Sequence, residues 1–573
     1  MSDFCGIVKK EQGDLDVLNG EEQKIYKYKG ETYIVSYDGE IYNKEEIREE
    51  LISRGDYFNT DDEEEIVLKS YLAWGKEALN KFEGVFSIAI YSVDSGRLFL
   101  ARDPIGAKAI FYSVIKDDII FSNNVGNIVK SKYVSPEVTY EGIAELMTLG
   151  PSRRQNSAIF RNISQLEPGS YLEFKYPNAN IAKYAEFEAY EHNDSFEDTV
   201  DNVREILIDS ILKQYPKDQK VCTLLSGGLD SSIVTTVVAE AVREEGRTLR
   251  TFSVDYEGNE TFFEANDFQP NSDGEWIKKM VDFLGTEHTN IRLTSEELVE
   301  SLESAMIARG FPGMGDIDTS LLRFCGKMSE FAGIGMGGEC ADEVFGGYPW
   351  FHREALIDSD FFPWIRSVTE RGEYVNEEIK HNVDMVKFAK DVYSDELKKV
   401  PVLEGETQRE KRIREIGYLT YRWFLPVLLE RQDKMAAKAN FKVRAPFCNF
   451  SLMKYVYNIP WDYKVMGGME KGLLRTAFKD LLPSEVIERK KSPYPKTFNP
   501  KYRELVIREL SHIIENPTSP ILDVIDLDNV RRLINEEETA NRPWFGQLMR
   551  GPQVMAFLIQ VNSWLKEYKV SIV

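Results

Sequence analysis

Ser226-Gly-Gly-Leu-Asp-Ser-Ser232 is the stretch on which the reading turns. Before it, Val221–Leu225 is a short apolar run of buried-strand type. After it, Ile233, Val234, Val237, Val238, Ala241 and Val242 keep helical spacing. A strand that turns through glycine into a helix is what an anion needs. Backbone N–H groups come close to it, and the helix offers its positive end. Ser226, Ser231 and Ser232 add hydroxyl donors. Asp230 would repel a phosphate, yet it suits Mg²⁺, which is usually held by one or two carboxylates together with substrate phosphates. No Gly-Lys-Ser/Thr is present, so this is not a Walker A loop. A Gly-Ser turn that merely caps a helix is the other reading of the same residues.

Working outward, Thr251–Val254 reads as the next strand and Ile334–Met336 as another. Strands alternating with helices imply an α/β fold with a doubly wound parallel sheet and ligands at the carboxyl ends of its strands. The helical pattern begins at Ser195-Phe-Glu-Asp198, which resembles a capping box, with Val200, Val203, Ile206, Leu207 and Ile211 behind it. Beyond about residue 345 the signal is mostly helical. Residues 1–190 are β-rich instead, with apolar runs at Tyr33–Tyr37, Val85–Ser92, Leu98–Arg102, Ile110–Tyr112, Ile119–Ser122 and Tyr171–Phe174. The run at Val85–Tyr91 is apolar throughout, as a strand covered on both faces would be. Residues 177–199 are polar and acidic, so two domains are expected, 1–190 and 196–573.

The 573 residues are 42% hydrophobic and 29% charged, which excludes bulk disorder. A net charge of −24 makes the chain a poor binder of nucleic acid or anionic membrane, so neither is expected as a partner. Five cysteines without a CxxC pair are neither a disulfide framework nor a zinc motif. No secretory signal or membrane span is read, and a reducing cytoplasm is the expected location. A second carboxylate is needed to complete a Mg²⁺ shell. Asp342 supplies it, in a turn after Ile334–Met336 with Gly337, Gly338, Gly346 and Gly347 around it. A solvated acidic turn is the plainer alternative. Gly333, Gly335 and Gly337 mark that strand as a place where a ligand approaches closely.

The Ser226–Ser232 loop resembles the pyrophosphate loop of ATP pyrophosphatases. Nearly the whole chain resembles glutamine-dependent asparagine synthetases. Cys5-Gly-Ile-Val8, Asp38-Gly-Glu-Ile-Tyr-Asn43 and Ala101-Arg-Asp-Pro-Ile-Gly106 are similar to motifs of their glutaminase domain. Asp267–Asp273, Glu339–Gly347, Val443–Phe447, Met469-Glu-Lys471 and Lys491–Thr497 are similar to motifs of their synthetase domain. The resemblance implies an N-terminal Ntn-hydrolase-like αββα sandwich. It also implies a C-terminal ATP-pyrophosphatase domain with a helical extension, which adenylates a carboxylate with Mg-ATP and then amidates it. It assigns ATP to Leu225, Ser226, Gly227, Gly228, Asp230, Ser231, Ser232, Val254 and Gly338, and the metal to Asp230 and Asp342. Glu339 would act as general base on the incoming amine. Lys471, otherwise an ordinary lysine near a helix start, would neutralise developing pyrophosphate charge. Asp316 and Asp318 would face an amino-acid substrate's α-amino group, unless Asp318 or Thr319 caps a helix. Arg444 is equally readable as an internal salt-bridge partner.

The family's glutaminase uses the free α-amine of an N-terminal cysteine as base. Here Cys5 follows Met-Ser-Asp-Phe, and only cleavage after Phe4 would free it. No arginine lies between Val8 and Tyr33 to clamp a glutamine carboxylate. The family's Asn-Gly-Glu reads Asp38-Gly39-Glu40, and its amine-holding aspartate aligns with Glu63. An ionised Asp38 would repel an oxyanion. A silent glutaminase is therefore expected.

Four functions compete. The first is an asparagine synthetase-type ligase using a small carboxylate and ammonia. The second, using a substrate amine, resembles β-lactam synthetases or peptide cyclases. The third is a glutamine-dependent synthetase after processing to Cys5, and the fourth a non-catalytic regulatory protein. Glu339 favours the first over the second, and the intact Ser226–Ser232, Asp342 and Lys471 disfavour the fourth. A homodimer is among the assemblies the resemblance allows.

Overall fold

A computed structural model of the chain describes residues 3–9, 15–17, 24–217, 219–263, 272–536 and 543–573. Of the Asp267–Asp273 motif, only Ser272 and Asp273 fall within the described residues. The chain divides into two compact units. One comprises Met1–Glu145, Arg153–Phe187 and Glu567–Val573; the other comprises Leu146–Ser152 and Glu188–Lys566.

The first unit is built on two antiparallel sheets. Its strands begin with β1 (Cys5–Val8), β2 (Leu15–Val17), β3 (Lys24–Tyr28), β4 (Glu31–Ile41), β5 (Gly84–Ser92) and β6 (Arg97–Arg102). They continue with β7 (Phe111–Ile115), β8 (Asp118–Ser122), β9 (Glu137–Val138), β10 (Ser164–Gln165), β11 (Ser170–Lys175) and β12 (Asn178–Lys183). One sheet is ordered β10-β7-β8-β1-β2 and the other β12-β11-β6-β5-β4-β3, while β9 pairs with Ser571–Ile572. β5 lacks hydrophobic alternation because both its faces are covered. Phe86, Ile88 and Ile90 pack with Ile47, Leu51 and Ile66 from the helices Lys44–Ser53 and Glu63–Trp74. Ala89 and Tyr91 pack between the sheets with Val8, Ile119 and Phe121. The polar stretch 177–199 opens on β12, an edge strand whose side chains are all exposed. With no buried face, such a strand carries no period-two signal.

The second unit holds β13 (Val221–Leu224), β14 (Arg250–Tyr256), β15 (Glu287–Leu293), β16 (Ile334–Met336) and β17 (Lys442–Arg444). Their order is β15-β14-β13-β16-β17, every pairing is parallel, and helices dominate the chain beyond it. The strand order reverses between β13 and β16. In a doubly wound sheet, that reversal opens a crevice at the strands' carboxyl ends. Ser195 starts the first helix, Phe196–Gln214, by accepting the Asp198 N–H. Gly335 in β16 corrects one expectation. A Cβ there would lie 2.7 Å from the Phe441 ring, so crowding by a core aromatic, rather than a ligand, accounts for that glycine. Among the described residues, no helix is long and apolar enough to cross a membrane.

Candidate functional site

The loop after β13 and the loop after β16 meet at the reversal of strand order. Ser226 N–H donates to Ser231 Oγ at 3.2 Å, the two serine hydroxyls are 3.0 Å apart, and Leu225 N–H donates to Phe252 O at 2.8 Å. Gly228 caps the 16-residue helix Leu229–Glu244, whose first turn carries Asp230. A Cβ on Gly338 would lie 2.5 Å from the Ser231 nitrogen, so the two loops touch backbone to backbone and only glycine fits.

That contact brings two carboxylates together. Lys471 Nζ donates to Asp230 at 2.7 and 2.8 Å and to Asp342 Oδ1 at 2.9 Å. Lys491 pairs with the other oxygen of Asp342. Lys471 is only 2% exposed and stands in the left-handed region (φ 57°) just before the helix Gly472–Ala477. Burial raises the Asp342 carboxyl, but the charges of Lys471 and Lys491 more than offset this and hold it well below the usual range. For Asp230, burial wins and the carboxyl is raised despite Lys471. Burial lowers the Lys471 ammonium, and the two aspartates more than restore it. Glu470 braces the segment, accepting the Lys491 N–H and an Arg475 Nη2–H, each at 2.9 Å. Arg489 donates to Ser226 O at 3.0 Å and pairs with Asp273.

Ser226, Asp230, Asp342, Lys471, Arg489 and Lys491 line a cavity of about 250 Å³. Leu225, Ser253 and Val254 are on its wall, as are Gly338, Glu339, Glu343, Arg431 and Tyr494. The helix carrying Arg431, Leu425–Lys438, follows one π turn at Thr420–Phe424. Pro426, which has no N–H to donate, accounts for that irregularity. Glu339 Oε2 is buried without a hydrogen-bond partner among the described residues. Burial raises the Glu339 carboxyl, with Arg431 opposing and Asp230 adding.

The remaining expected residues lie elsewhere. Asp316 and Asp318 are buried, but neither lines this cavity. Asp318 Oδ2 accepts from Arg309 at 3.2 Å and from the Met314 N–H at 2.9 Å. The helix Asp316–Ser329 has Gly315 at its cap and no side-chain cap, so neither Asp318 nor Thr319 plays that role. Burial pushes Asp316 up to about 6; Gln553 donates to it at 3.3 Å. Ser232 Oγ is buried without a hydrogen-bond partner among the described residues. Arg444 donates to the Gln214 carbonyl.

Sequence reasoning missed Glu343, Arg431 and Lys491 as site residues. Glu343 is pushed up to about 7, first by burial and then by Asp342, while the Tyr348 hydroxyl at 2.7 Å acts the other way. The folded protein thus keeps a proton from pH 4.5, the ordinary value, to about 7, where the unfolded chain has lost it. Stability falls as pH rises through that window. Glu343→Gln is expected to remove that part of the fall, on the order of 3 kcal/mol. Unfolding measured at pH 4.5 and pH 8 checks this; an unchanged difference between the two would refute it.

The asparagine synthase family model matches residues 202–566. The chain belongs to the asparagine synthase family. A glutamine amidotransferase domain model matches residues 14–185. Asparagine synthetase [glutamine-hydrolyzing] 3 of Bacillus subtilis (strain 168) is 39% identical over 560 residues, covering 97% of this chain and 91% of that protein. Asparagine synthetase [glutamine-hydrolyzing] 1 of the same organism is 27% identical, covering 84% of this chain and 78% of that protein. Amidase chry2 of Gibberella zeae is 22% identical, covering 85% and 80% respectively. As a member of the asparagine synthase family, the chain is an ATP-dependent amide-forming ligase acting on small molecules.

The first unit carries the residues matched to the family's glutaminase. Cys5 lies in β1 opposite Ser122, and burial pushes its thiol up to about 12. The Phe4 peptide before it is anchored: its N–H donates to Asn123 Oδ1 at 2.9 Å, and its carbonyl accepts from Ser122 Oγ at 2.6 Å. Asp38 is not the bare charge its sequence position suggests, since Lys108 Nζ donates to it at 3.0 Å and Asn123 Nδ2 at 3.2 Å. Gly39 and Glu40 lie in β4 opposite Phe86 and Val85. Glu63 accepts from Tyr37 at 3.0 Å and Lys44 at 2.8 Å. The Arg102-Asp103 turn is structural. Asp103 accepts four backbone N–H groups, from Ile105 to Lys108, and Arg102 donates to the carbonyls of Gly106, Lys108 and Leu166.

Proposed function

We propose that this ligase adenylates the side-chain carboxylate of aspartate, releases pyrophosphate, and aminates the acyl-adenylate with ammonia to give asparagine and AMP. The observation that carries the reading is the convergence of Asp230 and Asp342 on one ammonium, with 2.7 to 2.9 Å contacts, at the crevice of the sheet. Two carboxylates that already focus on one cation suit Mg²⁺, which would supply charge neutralisation to the bound phosphates. The Ser226–Ser232 loop cradles the phosphates, and Leu225 and Val254 flank the base. Lys471 stabilises charge growing on the departing pyrophosphate. Glu339, with one buried oxygen lacking a donor, accepts a proton from the attacking nitrogen. ATP–pyrophosphate exchange screened across amino acids and small carboxylates tests the acceptor; exchange with aspartate is expected, and its absence overturns the reading.

Glu339→Gln is expected to slow amide formation by on the order of 10²-fold or more while exchange persists. Wild-type turnover at saturating ammonia would remove Glu339 from the mechanism.

We read the first unit as a silent glutaminase. Its thiol is raised to about 12, its cysteine nitrogen is an amide beside an anchored peptide, and Asp38 and Glu63 already hold cationic partners. Glutamine is expected to go unhydrolysed, and Cys5→Ala to leave ammonia-dependent turnover unchanged. The second reading, glutamine as nitrogen donor, is favoured by the names of the Bacillus relatives. Glutamate release from glutamine that disappears in Cys5→Ala would establish it.

A further inference from the structure

The second unit contains another cavity, of about 290 Å³, that the ligase chemistry does not use. Its polar groups are incompletely matched. Arg414 is engaged, donating through Nε to Glu406 Oε1 at 2.6 Å and through Nη1 to Asn458 Oδ1 at 3.3 Å. The Glu406 side chain is only 9% exposed, yet its second oxygen, Oε2, is buried with no hydrogen-bond partner among the described residues. Lys464 lines the same cavity, and its side-chain ammonium makes no ion pair or hydrogen bond with the described residues. Burial, and then the charge of Arg414, lower its ammonium to about 7. Much of the rest of the wall is apolar or aromatic, including Phe351, Ile413 and Trp461.

A buried carboxylate oxygen lacking a donor and an ammonium lacking an acceptor call for complementary groups. A simple carboxylic acid would leave Glu406 unmatched. A simple amine would leave Lys464 unmatched. An apolar wall would go unused by a small polar zwitterion. We propose that this cavity binds a free α-amino acid with an apolar side chain. Its carboxylate meets Lys464, its amino group meets Glu406 Oε2, and its side chain packs against Phe351, Ile413 and Trp461. The site stands on residues separate from those assigned to adenylation, apart from Glu343, which lines both cavities.

Titration calorimetry of the full chain without nucleotide, with L-phenylalanine and L-leucine as probes, tests this. Saturable binding is expected. 3-Phenylpropionate, which lacks the amino group, and phenethylamine, which lacks the carboxylate, should each bind the wild-type chain about tenfold more weakly or worse. Lys464→Met and Glu406→Gln should weaken the amino acids by about tenfold or more, and Lys464→Arg should restore much of the loss. No heat from either amino acid at millimolar concentration overturns the proposal. So does binding of either truncated analogue as tightly as L-phenylalanine, a readout that needs no variant to fold. ATP–pyrophosphate exchange in the same samples separates this from the ligase reading. Lys464→Met should keep its exchange, and a wild-type chain that binds phenylalanine but exchanges with no carboxylate would contradict only the adenylation chemistry.

Discussion

Asp342→Asn is expected to lower AMP formation by on the order of 10³-fold, because it removes one of two carboxylates opposite the phosphates and weakens metal ligation. The fold should survive. The asparagine amide is nearly isosteric, and Lys471 keeps its two contacts with Asp230 at 2.7 and 2.8 Å. Asp230→Asn should behave alike, since both carboxylates share the same ammonium. AMP release from Mg-ATP and aspartate in the purified variants, with circular dichroism as a check on folding, is the measurement. Turnover within tenfold of wild type would sink the metal assignment.

Lys471→Met carries a double penalty. It removes the cation aimed at the pyrophosphate, for which a loss on the order of 10³-fold in AMP formation is expected. It also leaves two buried carboxylates facing one another, and truncating one partner of a buried ion pair costs about 3–5 kcal/mol. The second unit should therefore unfold at a lower temperature. The variant should also respond to pH. In wild type, Lys471 and Lys491 keep Asp342 ionised well below its ordinary 3.8, so its stabilisation is present above that value and fades only in stronger acid. Without Lys471, the Asp342 carboxyl should rise and part of that stabilisation should vanish at higher pH. Melting curves at pH 4 and pH 7 read this directly. A variant with wild-type AMP release and an unchanged melting temperature would return Lys471 to the status of a structural lysine.

How legible the site was depended on where each residue's signal lay. The Ser226–Ser232 loop could be read from residues alone, because its strand, glycines and helix are contiguous and each follows a local rule. Asp342 was half legible through its glycines. Lys471 was not legible from local pattern, since a lysine before a short helix looks the same whether it faces water or two buried aspartates. Glu343 and Lys491 sat inside quoted motifs without a role, because burial beside Asp342 is created only when β16 lands next to β13. In the first unit, β1 is four buried residues and β3 alternates only weakly, too short or too exposed to register. The pairing of Asp38 was illegible for a similar reason. Its partner Lys108 lies 70 residues away, and no spacing rule joins them.

The backbone contact at Gly338 makes the nucleotide half of the site a joint rather than a surface. A side chain added there would push the Ser226–Ser232 loop and the Asp342 loop apart together, so the geometry that holds phosphates cannot be tuned one loop at a time. The other half is a single flank, on which Glu339, Arg431 and Tyr494 stand on three separate segments. Arg431 and Tyr494 lie outside both loops, so an exchange at either leaves the joint's own residues unchanged. Under the proposed function, a descendant of this chain can therefore drift in which acid it activates and which amine it accepts while the way it splits ATP stays locked.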